Sequence, residues 1–126
     1  MDELKKLKAE IIEYGRLAGL KNFTPGYSGN ISARYGDKIL ITSTGSANGY
    51  LSEDELVLID YDGNTVCGGK KASSEKMLHI EFYRQRPDVN YIIHVHSPYL
   101  SSFACCHIPL DEPVMAENVF YFGQIP

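Results

Sequence analysis

The sequence predicts an α/β domain in which helices pack against a mainly antiparallel sheet. An amphipathic helix opens the chain, a β-hairpin follows it, and later helices alternate with further short strands. Each such element has one apolar side to bury, and layers of helix on sheet are a common way to do so. A sheet layered with helices is therefore the expected architecture.

The first element is a helix that starts near residue 4. Asp2 is a suitable N-cap before it, and Gly19 is a suitable stop after it. The apolar side chains between them are spaced by three and four residues, the period of an amphipathic helix. They are Leu4, Leu7, Ile11, Tyr14 and Ala18.

A hairpin and a third strand follow this helix. Residues 31–35 alternate apolar and polar side chains, Gly36-Asp37 is suited to a turn, and residues 38–42 form a second run of strand-forming residues. Residues 56–60 predict another strand, and Asp62-Gly63 predicts a tight turn after it.

The second half of the chain predicts two helices and a strand between them. Ser73 or Ser74 is suited to cap a helix that stops at Pro87. Residues 91–96 have the β-rich composition of a strand. Ser97-Pro98 places a capping residue and an N1 proline at the start of the last helix.

Size and charge exclude several functions. A chain of 126 residues with 44% hydrophobic and 22% charged residues has the composition of an ordinary folded protein, so one domain over residues 1–126 is predicted. The formal net charge is −4, and no run of Lys and Arg is longer than a pair. We therefore expect neither nucleic acid nor a membrane surface as partner.

The same features predict a cytoplasmic protein. No apolar stretch approaches the roughly 18 residues that a membrane-spanning helix needs, and the charged N-terminus is unlike a signal peptide. The three cysteines, Cys67, Cys105 and Cys106, have no disulfide-framework spacing. They are expected to be reduced thiols.

His94-Val95-His96 is the most informative tripeptide. Side chains two apart on a strand point the same way, so the two imidazoles are expected side by side. Neutral imidazole is a ligand that Zn²⁺ accepts, and the pair predicts a metal site. The alternative is that both histidines lie on a solvent-exposed face without a ligand.

Ser73-Ser74-Glu75 lies where a predicted helix begins, and free backbone N–H groups at such a position favour an anion. The simpler interpretation of Glu75 is a surface residue that complements the helix dipole. Gly29-Asn30 and Thr44-Gly45 are small-residue loops that let a backbone approach a phosphate, although ordinary turns look the same. His79 either pairs with Glu75 or faces the core, and we interpret it as structural.

The order of these segments along the chain resembles the class II aldolase/adducin family. The resemblance runs from the first helix to about Ser102. It is carried by Gly29-Asn30-Ile31-Ser32, Ile41-Thr42-Ser43-Thr44-Gly45, Asp60-Tyr61-Asp62-Gly63, Gly69-Lys70-Lys71-Ala72-Ser73-Ser74-Glu75 with His79, Arg86-Pro87-Asp88-Val89 and His94-Val95-His96-Ser97-Pro98.

The resemblance implies a three-layer α/β/α fold with a central, mainly antiparallel sheet. It implies that His94 and His96 bind a divalent metal, usually zinc, and that Glu75 is the acid/base group, its pKa tuned by partial burial. It also implies a phosphate pocket formed by Gly29, Asn30, Thr44, Gly45, Ser73 and Ser74.

The implied activity is metal-dependent aldol cleavage of a phosphorylated ketose, of the fuculose-phosphate type, through a metal-stabilised enediolate. Family members that epimerise have aspartate where this chain has Glu75, which favours the aldolase. The alternatives are a ribulose-phosphate 4-epimerase activity and a non-catalytic, adducin-like interaction module. The resemblance further implies a small-molecule sugar phosphate as substrate and a homotetramer.

Two departures from the family pattern matter. Ala72 stands where the family commonly has proline, which is expected to loosen the loop before the serines. The family's third histidine ligand lies in a C-terminal portion for which this chain has no counterpart, and His107 does not occupy its place in the motif order. The chain is therefore expected to be the N-terminal portion of a family domain.

Overall fold

A five-stranded antiparallel sheet organises the first of the two units into which the chain divides, residues 1–96 and residues 97–126. The computed structural model describes residues 2–110, 116, 120 and 121. The strand order is β4-β3-β2-β1-β5. The strands are β1 (Asn30–Tyr35), β2 (Lys38–Thr42), β3 (Leu56–Ile59), β4 (Thr65–Cys67) and β5 (Tyr91–His94).

Helix α1 (Glu3–Leu20) covers one face of this sheet. The Asp2 side chain accepts a hydrogen bond from the backbone N–H of Leu4, as the predicted N-cap should. Leu7 and Ile11 of α1 are buried in a cluster with sheet residues such as Leu40. This cluster forms the core between α1 and the sheet.

Helix α2 (Lys76–Gln85) covers the opposite face. Ile80 and Tyr83 of α2 pack with Ile39 and Ile41, which flank Leu40 on the same strand and point to the other side of the sheet. The two clusters together make three layers, so the predicted α/β/α fold is confirmed.

Several boundaries differ from the predicted ones. Helix α1 continues through Gly19, its predicted stop, to Leu20, and β1 begins at Asn30 and β3 ends at Ile59, each one residue from its predicted boundary.

Two further differences have an identifiable cause. Helix α2 has Glu75 at its N-cap, because Ser73 forms a preceding turn in which its hydroxyl accepts from the backbone N–H of Glu75. Strand β5 ends at His94, since its partner β1 begins at Asn30 and the ladder has no further residues to pair.

A short 3₁₀ helix, Asn48–Tyr50, packs against α1 at two glycines. A Cβ atom at Gly15 would lie 2.5 Å from the carbonyl oxygen of Asn48, and one at Gly19 would lie 2.6 Å from Cα of Gly49. Both distances are shorter than any normal contact. The glycines therefore allow α1 to approach the loop that follows β2.

We expect Gly15→Ala to destabilise the protein, although alanine favours helices by about 1 kcal/mol over glycine. Overpacking of this kind costs about 1–3 kcal/mol. Gly69→Ala is the matched control, because its Cβ would meet nothing within 4 Å. Urea unfolding of the full-length protein measures the difference. A Gly15→Ala variant as stable as wild type would contradict the close contact.

The second unit contains helix α3 (Pro98–Cys105), with Ser97 at its N-cap and Pro98 in the first turn, as predicted. None of the helices in the described part of the chain is long and apolar enough to cross a lipid bilayer.

Candidate active site

The two predicted histidines lie together at the end of β5. His94 is the last residue of the strand, and His96 follows it, held by a 2.8 Å hydrogen bond from its backbone N–H to the carbonyl of Phe23. Their ring centroids are 5.1 Å apart. The expected side-by-side arrangement is therefore present, even though His96 lies outside the strand.

Glu75, at the start of α2, reaches the first of these rings. Its Oε2 lies 3.1 Å from Nδ1 of His94. The two atoms are close but not aligned for a hydrogen bond, and Nδ1 is buried without a hydrogen-bond partner. The structure thus brings the predicted acid/base residue, Glu75, next to the two predicted metal ligands, His94 and His96.

This pair of imidazoles has a ring nitrogen that is suited to a divalent metal, but too few ligands lie beside it for a complete metal site. A buried ring nitrogen without a partner is costly, and a metal ion is one partner that neutral imidazole accepts. However, no group of three or more His, Cys, Asp or Glu side chains in residues 2–110, 116, 120 and 121 is arranged to hold a metal. His94 and His96 therefore form a partial site.

A cavity of about 170 Å³ adjoins Glu75 and His96. Every residue that the family resemblance assigns to a phosphate pocket lines it, and the other described residues in its lining are Tyr27, Ser28, Ser43 and Ser46. The predicted members are Gly29, Asn30, Thr44, Gly45, Ser73 and Ser74.

Backbone contacts hold the loops of this cavity in place. The N–H of Thr44 donates to the carbonyl of Lys71, and the N–H of Ser73 donates to the carbonyl of Thr42. Both contacts flank Ala72, so the loop that was expected to be loose is tied to the end of β2. Ala72 itself is buried, with 3% of its surface exposed.

Glycine is required where this cavity meets the histidine strand. Gly29 has φ of +74°, and a Cβ there would lie 2.5 Å from the carbonyl oxygen of His94. Only a residue without a side chain allows the loop to approach β5 so closely. The glycine-asparagine loop is thereby placed directly beside the histidine pair.

The cavity offers neutral hydrogen-bond donors rather than positive side chains. No Lys or Arg is among the described residues that line it. Within the described part of the chain, the backbone N–H groups of Gly45 and Ser74 donate to no protein atom. Free N–H groups and serine hydroxyls before a helix suit the oxygens of an anion.

The environment of Glu75 differs from the expected one. Its side chain is 44% exposed, so burial has only a limited effect. The hydrogen bond from Nδ2 of Asn30 lowers the pKa of Glu75, burial opposes this change, and the electrostatic interaction with His94 lowers the pKa further. The carboxyl group is therefore ionised at neutral pH. The expectation was instead that partial burial would adjust the pKa of Glu75 so that the group could both accept and donate a proton.

Asn30 connects Glu75 to a buried histidine that the sequence analysis treated as structural. Oδ1 of Asn30 contacts Nε2 of His79, whose Nδ1 lies 2.7 Å from the hydroxyl of Ser32. That hydroxyl lies 2.8 Å from the hydroxyl of Tyr83. The sequence offers no local signal for these contacts, because Ser32 occupies a polar position in the alternating pattern of residues 31–35 and lies 47 residues from His79.

His79 makes stability depend on pH. Burial lowers the pKa of His79 from 6.5 to about 4, and the nearby His94 lowers it further while Glu75 opposes the shift. The unfolded chain therefore binds more protons between these pH values. Stability from this group is complete above pH 6.5 and is lost as the pH falls towards 4, by about 3 kcal/mol in total.

We expect urea unfolding at a series of pH values to show this loss in the wild type. His79→Gln, which has no titrating group at this position, should show a smaller decline over the same range. Equal slopes for the two proteins would contradict a low pKa at His79.

The model of the family described as "Class II Aldolase and Adducin N-terminal domain" matches residues 9–126. The L-fuculose phosphate aldolase of Methanocaldococcus jannaschii is 44% identical over 90 residues, which cover 71% of this chain and 49% of the relative. The 3-oxo-tetronate 4-phosphate decarboxylase of Haemophilus influenzae is 37% identical over 99 residues, covering 78% and 47%. The chain spans about half the length of these curated relatives.

A solved structure of an L-fuculose 1-phosphate aldolase superposes with a TM-score of 0.77 at 34% sequence identity. The match covers 83% of this chain and 50% of that one. The three-layer arrangement described above is thus shared with a protein of similar sequence.

Proposed function

Because the chain belongs to the class II aldolase and adducin family, we propose that the full-length protein is a metal-dependent lyase that cleaves a phosphorylated ketose by aldol chemistry. One observation carries this proposal. Two adjacent imidazoles lie beside a carboxylate, at the edge of a cavity lined by hydroxyls and backbone N–H groups.

The cavity is the proposed phosphate site. Gly29, Asn30, Thr44, Gly45, Ser73 and Ser74 line it. Nδ2 of Asn30 carries two hydrogens, of which Glu75 uses one, so the other is available to an anion. Because no Lys or Arg lines the described part of the cavity, binding relies on hydrogen bonds directed by the backbone.

His94 and His96 are the proposed metal ligands, with Zn²⁺ or another divalent ion as cofactor. Such an ion, when bound, supplies Lewis-acid stabilisation of the negative charge that C–C cleavage leaves on the ketone fragment. The protein's contribution is to hold both rings and Glu75 next to the phosphate cavity. This placement orients the reacting carbon relative to the phosphorylated end of the substrate.

Glu75 is the proposed acid/base group. In the direction of aldol synthesis, the ionised carboxylate accepts a proton from the substrate carbon that forms the new bond. In the direction of cleavage, the carboxylate takes the proton of the substrate hydroxyl beside the breaking bond, and that carbon becomes the aldehyde carbonyl. The electron pair of the broken C–C bond remains on the other carbon, and Glu75 passes the proton to it. The hydrogen bond from Asn30 stabilises the ionised form that begins the synthesis direction.

A second candidate is a decarboxylase, since one relative has the name 3-oxo-tetronate 4-phosphate decarboxylase. Decarboxylation also breaks a C–C bond beside a carbonyl, and it needs the same charge stabilisation followed by protonation of carbon. The residues described above serve either reaction, so the substrate decides between them.

A substrate panel tests the proposal. The full-length protein, loaded with Zn²⁺, is incubated with L-fuculose 1-phosphate and with other ketose 1-phosphates, and dihydroxyacetone phosphate is measured by a coupled assay. Release of this product is the expected result. Carbon dioxide from 3-oxo-tetronate 4-phosphate, with no aldol cleavage, would replace the aldolase with the second candidate. No reaction with either class would overturn both and leave the ribulose-phosphate 4-epimerase and the non-catalytic module as alternatives.

We further propose that the protein is cytoplasmic, as its composition and cysteine pattern predict, and that it assembles as a homotetramer, as the family resemblance implies. Sedimentation velocity of the full-length protein is expected to give a single species of four chains. A monomer at micromolar concentration would contradict this assembly.

A further inference from the structure

A line of hydrogen bonds leads from the candidate catalytic carboxylate into the core behind the sheet. It starts at Glu75, passes through Asn30 to His79, and continues through Ser32 to the hydroxyl of Tyr83. The four residues beyond Glu75 are buried, and His79 and Ser32 have no exposed surface. In this buried setting, each polar group needs the partner that the line provides.

The orientation of the Asn30 amide fixes the direction of the bonds in the line. Asn30 presents Nδ2 to Glu75 and Oδ1 to His79, and an amide oxygen only accepts. Nε2 of His79 must then carry the hydrogen that Oδ1 accepts. Its Nδ1 is left as an acceptor.

The remaining donors follow from this choice. The hydroxyl of Ser32 donates to Nδ1 of His79, and the hydroxyl of Tyr83 donates to Ser32. In the opposite tautomer of His79, Nδ1 carries the hydrogen and Nε2 is an acceptor. Asn30 would then have to rotate its amide and present Nδ2 to Nε2. Its Oδ1 would then face the carboxylate of Glu75, and two acceptors would be in contact.

We propose that His79 is a positioning residue that, as the neutral Nε2–H tautomer, orients the amide of Asn30 and through it the carboxylate of Glu75 beside His94. This inference rests on the proposed function for its catalytic meaning. Glu75 is 44% exposed on its side chain, and its aligned side-chain hydrogen bond is the one from Asn30. A glutamate without that anchor has more rotamers to sample, so fewer molecules have the carboxylate in place.

The tautomer is tested without any assay of activity. Nitrogen-15 NMR of histidine-labelled full-length protein, prepared without metal, distinguishes a protonated from an unprotonated ring nitrogen by its chemical shift. The expected result at neutral pH is a hydrogen on Nε2 of His79 and none on Nδ1, with His79→Gln identifying the resonances. A hydrogen on Nδ1, or on both nitrogens, would overturn the inference.

Two variants separate positioning from a structural role. Glutamine at position 79 places an amide nitrogen near the location of Nε2, where it donates to Asn30. Asparagine reaches only the location of Nδ1. It therefore keeps the hydrogen bond with the hydroxyl of Ser32 and loses the hydrogen bond to Oδ1 of Asn30. We expect His79→Asn to lower kcat by about 10- to 100-fold with little change in KM, the usual effect of losing an outer hydrogen-bond partner.

His79→Gln is expected to keep most of the wild-type kcat, although both variants lose comparable stability in urea. Equal losses of kcat, or losses that follow stability, would show that His79 is only structural. If the wild type turns over no sugar phosphate, the proposed function fails while the NMR result still decides the inference.

Discussion

Glu75→Gln is expected to lower the kcat of the full-length protein on its ketose phosphate by about 10²- to 10⁴-fold, the contribution of a positioned acid/base group. Glutamine keeps an oxygen that accepts from Asn30, so the hydrogen bond that holds this side chain is retained. What is lost is the ability to take up and return a proton. We therefore expect KM to change little, and steady-state kinetics measure both constants.

Glu81→Gln is the matched control for this substitution. Glu81 lies on the same helix, is exposed, and contacts only Gln85 through a side-chain hydrogen bond in the described structure. Its replacement should leave both constants unchanged. If Glu75→Gln retained a kcat close to that of the wild type, the acid/base role would have to move to another residue.

Replacing both histidines, His94→Ala with His96→Ala, is expected to reduce kcat/KM by about 10³-fold or more. Metal-ion catalysis supplies several kcal/mol of charge stabilisation, and each 1.36 kcal/mol is a factor of ten in rate. The fold should survive, because the backbone of His94 pairs with β1 and both side chains are at least partly exposed.

His107→Ala is the control for a general effect of removing histidine. His107 is exposed and belongs to the second unit of the chain, and the motif order gives it no ligand role. The activity of the His107→Ala variant should match that of the wild type. A double variant of His94 and His96 that is fully active would exclude these residues from catalysis.

Local sequence signals predicted most elements of the fold. The spacing of apolar residues with the Asp2 cap predicted α1, and the Gly36-Asp37 turn predicted the hairpin of β1 and β2. The errors lie at boundaries that distant residues determine. Strand β5 ends where β1 begins, and α2 begins one or two residues later than predicted because Ser73 is tied to the end of β2.

In the candidate site, too, local features were predicted and contacts between distant residues were not. Side chains two apart on a strand predicted the adjacent rings of His94 and His96, and this arrangement is confirmed by their 5.1 Å separation. The link from Glu75 through Asn30 to His79 was not predicted. Asn30 is 45 residues from Glu75 and 49 from His79 along the chain, so only the packing of α2 on the sheet brings them into contact.

The central claim is that His94 and His96 bind a metal beside Glu75, and the zinc content of the protein tests it most directly. The full-length protein and its variants are loaded with Zn²⁺, dialysed against metal-free buffer and analysed by mass spectrometry. If a third ligand completes the partial site, we expect near-stoichiometric zinc in the wild type and in Glu75→Gln, and in every case almost none in the double variant of His94 and His96. A double variant that retains as much zinc as the wild type would contradict the assignment.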